Sequence, residues 1–245
     1  MWRGFLAPQL GGPESAAVAQ PRSLCGTCGM LMERHTMAQS THRLADAAQT
    51  ILAEIERRTD HRQAPRLIAL DGGSGAGKST VAAIVGQNIH AVVVPLDDFF
   101  AAHIPDGQWE AFAIPERAEH VFDWQRVRAD ALEPLLANRS ARWYPFDFAA
   151  GLRSDGTYAL STHSVERQPA PVILLDGAYS ASPQISDLVD FAVLIDVAVP
   201  ERHRRLAARE HEPFLQRWHT VWDAVETYYF TKVRPKASFD LVVSG

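Results

Sequence analysis

From Arg66 onward the chain alternates short, wholly apolar runs with longer stretches of helical periodicity. The runs are Arg66-Leu67-Ile68-Ala69-Leu70, Ala91-Val92-Val93-Val94-Pro95-Leu96, Val172-Ile173-Leu174-Leu175, Phe191-Ala192-Val193-Leu194-Ile195-Asp196 and a last one from Asp240 to Val243. Runs this short with no polar alternation belong to strands buried on both faces, as in parallel sheets. Amphipathic stretches separate them. Leu44, Ala47, Ala48, Ile51, Leu52 and Ile55 recur at helical spacing between Thr41 and Arg58. Val127, Ala131, Leu132, Leu135 and Leu136 share one face of a helix that Phe122-Asp123-Trp124 opens, with Asp123 fit to cap it. A basic helix over Arg202 to Glu210 and an aromatic-rich helix over Phe214 to Lys232 precede the final strand, and Trp143 to Arg153 is irregular. The alternation predicts an α/β fold: a mainly parallel five-stranded sheet between helical layers.

Residues 1–40 hold little periodic pattern, so they are expected to form a poorly ordered N-terminal extension to a single domain over 41–245. Within that extension stand the two cysteines, Cys25 and Cys28, spaced C-x-x-C. A zinc site wants a second ligand pair and a redox pair wants a βαβ context, and neither is evident, although His35 and His42 lie downstream.

The first predicted strand runs into Gly72-Gly73-Ser74-Gly75-Ala76-Gly77-Lys78-Ser79, which fits G-x-x-x-x-G-K-[ST]. Glycines let successive backbone N–H groups turn inward on a polyphosphate, and the helix that follows presents its positive end to the same anion. Lys78 is expected to reach the β/γ-phosphates and Ser79 to ligate Mg²⁺. A dinucleotide loop is excluded, because G-x-G-x-x-G fails at Lys78. Two more strands end in acids. Asp97-Asp98 follows the second run and Asp176-Gly177 the third. Carboxyl ends of parallel strands are where such sheets bind ligands, so Asp97 and Asp176 are expected beside the loop, Asp176 near the metal and Asp97 as a proton acceptor or water holder. Asp98 is expected to cap the next turn.

Composition narrows the partner. The chain has 245 residues, is 47% apolar and carries a net charge of −5. That charge gives no global attraction to nucleic acid or to an anionic membrane, so a small-molecule substrate is the default. With no long apolar stretch and no signal-peptide pattern, a cytoplasmic protein is expected. The number of subunits in any homo-oligomer stays open.

The order of these motifs resembles that of the uridine kinase-like family of P-loop kinases, which includes phosphoribulokinase, pantothenate kinase and nicotinamide riboside kinase. The resemblance rests on Asp97-Asp98-Phe99-Phe100, Phe122-Asp123, Phe146-Asp147-Phe148 with Arg153 five residues on, Asp176-Gly177, and Arg205, Arg209 and Glu210 in a lid pattern. It covers about Arg66 to Gly245 and implies a three-layer P-loop NTPase fold using ATP and Mg²⁺. It also implies that Asp97 is the catalytic base and Asp176 a metal-site acid. Asp123, Tyr144, Phe146 and Arg153 would hold the acceptor, and Arg205 and Arg209 would close over the phosphates. Two departures stand out: the lid is short, and Phe146 replaces the usual tyrosine of that segment. The implied activity is transfer of the γ-phosphate to a hydroxyl, first of a nucleoside such as uridine or cytidine. Pantothenate, nicotinamide riboside or a sugar acid are the alternative acceptors. A P-loop ATPase or regulatory ATP-binding module is the alternative class, though it has no need of Asp97, Asp123 and Arg153 together.

Overall fold

The computed structural model of the chain describes residues 26–58, 64–210 and 212–245, with side chains described from residue 41 and not for 212–214. Helix α1 (Gly26–Arg57) leads into β1 (Arg66–Asp71), a loop, α2 (Lys78–Ile89) and β2 (Val92–Pro95). A 3₁₀ turn (Leu96–Phe99), α3 (Gln108–Ala111), α4 (Ile114–His120) and α5 (Trp124–Arg126) follow. The last continues without a break through a π-helical stretch (Val127–Leu132) into α6 (Glu133–Leu136). Pro134 sits in the first turn of α6, where it has no N–H to return to the carbonyl four residues back, and the turn before it widens. A small antiparallel hairpin of β3 (Ala141–Trp143) and β4 (Val165–Arg167) precedes β5 (Val172–Asp176) and β6 (Phe191–Asp196). Then come α7 (Val199–Ala207), α8 (Glu212–Tyr228) with a π turn at its end (Tyr229–Val233), and β7 (Leu241–Ser244).

The five apolar runs form one sheet in the order β2-β5-β1-β6-β7, every neighbouring pair parallel. The expected α/β fold with a five-stranded sheet is therefore what the chain adopts. Both faces are covered. Leu67, Val94, Ile173 and Leu175 pack with Val127, Leu132 and Leu135 and with Val221 and Val225 of α8. Ile68, Leu70, Leu174, Val193 and Ile195 pack on the other side with Val81 and Val85 of α2 and with α1. Each such side chain, fully buried, contributes about 2 kcal/mol of hydrophobic stabilisation. The six α1 residues read as an apolar stripe, Leu44 through Ile55, are all buried in that second layer.

Two expectations change. Helix α1 begins at Gly26 rather than Thr41, so the boundary drawn at residue 40 falls inside a helix. Trp143, the first residue of the stretch read as irregular, instead ends the short β3 strand, which pairs with a partner 22 residues or more away in sequence. Cys25 and the Cys28 side chain lie outside the described residues. Among the described residues no helix is long and apolar enough to cross a membrane.

Candidate active site

Parallel pairing fixes which side chains share the sheet's carboxyl edge. Leu70 of β1 and Pro95 of β2 are both in register with Asp176 of β5. The loop leaving β1, the acid ending β5 and the acids after β2 therefore emerge side by side.

The loop itself is built for close approach. Gly75 has φ +82°, and a Cβ there would stand 2.6 Å from the Arg202 carbonyl oxygen. Gly77, at φ +90°, precedes α2, and a Cβ would come 2.7 Å from the Leu44 side chain. Only glycine meets both demands. Lys78 is buried, and its Nζ donates to the Gly73 carbonyl at 3.2 Å. Ser79, the next residue of α2, is exposed.

Asp176 is 8% exposed, and its Oδ1 has no hydrogen-bond donor among the described residues. Burial pushes its pKa up, and nearby Asp97 adds to that, while the Lys78 ammonium and a hydrogen bond with Ser79 pull it down. An acceptor oxygen left unmet in a buried site costs free energy, so it marks a place for a ligand or ion. Asp176, Ser79 and Asp97 supply the hard oxygen atoms that Mg²⁺ takes, two of them carboxylates, so the residues fit that ion.

Asp98 does not cap the turn. Its Oδ2 accepts the Trp143 indole N–H at 2.7 Å and its backbone carbonyl accepts from Phe146 at 2.7 Å, tying the hairpin to the 3₁₀ turn. Burial raises its pKa as well.

A cleft of about 260 Å³ opens beside this turn, lined by Ala102, His103, Asp123, Arg126, Arg153, Thr157, Tyr158 and Leu160. Asp123 divides its labour. One oxygen, Oδ1, accepts from the Arg126 N–H at 3.1 Å and caps α5, and Oδ2 stands 3.9 Å from His103 Nδ1. Its backbone N–H donates to the Phe99 carbonyl, two residues beyond Asp97. Arg126 and His103 were not singled out from sequence. Tyr158 is held by a 2.7 Å hydrogen bond to Asp106, and burial raises its pKa. Of the aromatic segment, Phe146 is buried edge-on against Phe100 and packs on Tyr158 beneath the lining. Tyr144 is 44% exposed and does not line the cleft, although its carbonyl accepts from Arg126 at 2.5 Å.

The two lid arginines separate. Arg205 lies against the loop, Nη1 at 3.4 Å from the Ala76 carbonyl, with Nε on Glu201 at 2.8 Å. Arg209 is half-exposed and donates to Glu210. The arginine closest to the loop is one that sequence reading passed over. Arg202 Nη1 donates to the Ser74 carbonyl at 3.0 Å and to Glu226 at 2.8 Å, and Glu226 accepts from both the Ser74 N–H and its hydroxyl. Arg202 shares a helix face with Arg205 three residues on, a signal that was available. Glu226 gave none, lying in a helix whose visible pattern is aromatic.

Asp71 was also missed. It is fully buried at the end of β1, with two donors on each oxygen: Gly72 and Tyr179 N–H on Oδ1, Ala181 N–H and the Tyr229 hydroxyl on Oδ2. The rule that drew attention to Asp97 and Asp176, an acid ending a buried strand, applied to it equally.

No family model matches the chain. It is similar to a uridine kinase of Halobacterium salinarum, 28% identical over 152 residues, which cover 58% of this chain and 61% of that protein's length. It is similar to a uridine kinase of Borrelia duttonii at 23% identity over 187 residues, 73% of this chain and 85% of the other. Among solved structures, that of a "Possible Uridine Kinase" from Bacillus stearothermophilus superposes with a TM-score of 0.57 at 18% identity, over 84% of this chain and 99% of that one, which is a likeness of fold.

Proposed function

We propose that the chain, similar in sequence to uridine kinases at 23–28% identity and in fold to a possible one, is a uridine kinase-like P-loop kinase that transfers the γ-phosphate of ATP to a hydroxyl of a small metabolite, with a nucleoside such as uridine or cytidine as first acceptor. The observation that carries this reading is the buried, donorless Oδ1 of Asp176 beside Lys78, Ser79 and Asp97. An ATPase switch needs Asp176, Lys78 and Ser79; Asp97, on the 3₁₀ turn that follows β2, is what a kinase adds.

In this reading the backbone N–H groups of Gly72, Gly73, Ser74, Gly75, Ala76 and Gly77 hold the triphosphate, and Lys78 leaves the Gly73 carbonyl for a phosphate oxygen. Ser79 and Asp176 hold Mg²⁺, with Asp97 close by; the ion supplies neutralisation of phosphate charge. Asp97 orients the acceptor hydroxyl and takes its proton. Asp123 and Arg153 bind the acceptor in the cleft, and Arg205 steadies negative charge at the loop. The partner is then a small molecule, with neither nucleic acid nor membrane required.

A second reading of the acceptor has its own observation. Arg126, Arg153 and His103 all line the cleft against one acid, Asp123. The two guanidinium groups, against one carboxylate, suit an acceptor with a carboxylate, such as a sugar acid or pantothenate, as well as a neutral nucleoside.

The test is ATP turnover by the purified chain with and without uridine, cytidine, nicotinamide riboside, pantothenate and glycerate. Strong stimulation by one acceptor, lost in Asp97→Asn while ATP still binds, is expected. Turnover indifferent to every acceptor would sink the kinase reading in favour of an ATPase.

A further inference from the structure

Helices α7 and α8 meet at a second polar cluster that the proposed reaction does not use. His203 of α7 and His219 and Asp223 of α8 bring a ring nitrogen each and a carboxylate oxygen within 4.8 Å of one another. Asp223 lies between the two rings, Oδ1 3.3 Å from His203 Nε2 and Oδ2 2.8 Å from His219 Nδ1, and the ring centroids are 4.5 Å apart. His219 and Asp223 stand one turn apart on the same helix face. All three side chains are about one-third exposed, 33% for His203 and 35% for the others, so an ion can reach them from solvent.

We propose that His203, His219 and Asp223 form a binding site for a divalent transition-metal ion, Zn²⁺ fitting best, that staples α7 to α8. Two imidazoles and a carboxylate are a borderline donor set that Zn²⁺ accepts, whereas Mg²⁺ and Ca²⁺ favour oxygen alone. Around a tetrahedral ion with bonds of about 2.1 Å, ligand atoms sit about 3.4 Å apart, so closing from the observed separations takes about 1 Å of side-chain rotation. Three protein ligands leave the fourth position to water.

The position gives the site a consequence. Arg202 adjoins His203, and Glu226 follows Asp223 by three residues; these two grip Ser74 of the phosphate loop from the same pair of helices. An ion linking α7 to α8 holds that grip closed. The site stands on its own geometry, whatever acceptor the cleft takes.

The experiment uses the full chain, freed of any polyhistidine tag and stripped with chelator. Cys25 and Cys28 are thiol ligands in their own right, so Zn²⁺ is titrated calorimetrically into Cys25→Ser/Cys28→Ser, with metal content measured after gel filtration. About one equivalent is expected, with a rise in melting temperature that Mg²⁺ does not reproduce. Adding His219→Ala abolishes both. Since that variant can misfold, Asp223→Asn, of the same shape, is tested alongside and is expected to bind at least about 100-fold more weakly. Co²⁺ in the thiol-free chain should give visible d–d bands without thiolate charge transfer. No uptake by the thiol-free chain, or equal uptake by it and its Asp223→Asn form, overturns the proposal.

Discussion

Two buried aspartates end neighbouring strands of the same sheet, in contact through β1–β5 pairing, and they have opposite surroundings. Asp71 closes β1 with four donors, two on each oxygen, drawn from Gly72, Tyr179, Ala181 and Tyr229. Asp176 closes β5 with Oδ1 unmet. Burial raises the pKa of both. A carboxylate whose lone pairs are all taken has nothing left for a ligand, so Asp71 is a joint: it fixes the exit of β1 to the turn after β5 and to the end of α8. A carboxylate with an open oxygen keeps a cost in the folded state that a bound ion removes without protonating it. The same residue type, one strand over, serves architecture in one case and, in the proposed function, chemistry in the other.

The contrast breaks most visibly at Asp176. Asp176→Asn keeps the shape and removes the charge, so kcat with the best acceptor should fall about 1000-fold, while the urea midpoint holds or rises because an uncompensated buried charge is gone. A variant that loses stability instead of rate would make Asp176 a second joint.

Asp71→Asn should do the reverse. A carboxamide offers one acceptor oxygen, and its NH₂ turns toward donors that had been satisfied. Leaving two or so buried N–H groups unmet costs about 3 kcal/mol, read as a lower urea midpoint at unchanged slope. Mg²⁺-dependent nucleotide affinity in the surviving folded fraction should stay near that of the parent chain.

How much of this pair was legible in the sequence follows from where their partners lie. Asp176, Asp97 and Lys78 announce themselves through local pattern, an acid or a glycine-rich turn at the end of an apolar run, and β-sheet register then brings them together with no further information. Asp123 was legible in both roles, because a cap and a cleft residue can be the same side chain. Asp71 needed partners 108 to 158 residues away, two of them backbone N–H groups that no side-chain pattern encodes. The Arg202–Glu226 grip on Ser74 spans helices in the same way. The start of α1 at Gly26 was missed because its first turns, Gly-Thr-Cys-Gly, read as a linker by composition.

Tyr229→Phe isolates one of the four donors. The hydroxyl gives Asp71 Oδ2 a 2.8 Å hydrogen bond, and Tyr229 is itself buried with its ring edge-on to Tyr179. Deleting only the oxygen keeps the packing and should cost about 2 kcal/mol, the range for a buried bond to a charged acceptor. A loss as large as that of Asp71→Asn would mean the hydroxyl, rather than the three N–H groups, holds the joint together.

The smallest effect is a pH dependence that an ion can erase. A carboxyl whose folded pKa lies above its unfolded one binds more protons folded than unfolded between those two values, so stability falls as pH rises through that window and is regained as pH drops back through it. Both aspartates contribute to this slope. Only Asp176 has an oxygen free for an ion, and an ion bound there favours the ionised form. Saturating Mg²⁺ should therefore flatten part of the slope in the parent chain, lifting stability above the window by about 1 kcal/mol. In Asp176→Asn the slope should already be shallower and Mg²⁺ should leave it unchanged, while in Tyr229→Phe the Mg²⁺ effect should persist in full. Urea midpoints taken across pH 4 to 8 with and without the ion separate these outcomes. An equal lift by Mg²⁺ in Asp176→Asn would remove that oxygen from the metal site and leave the two buried acids alike.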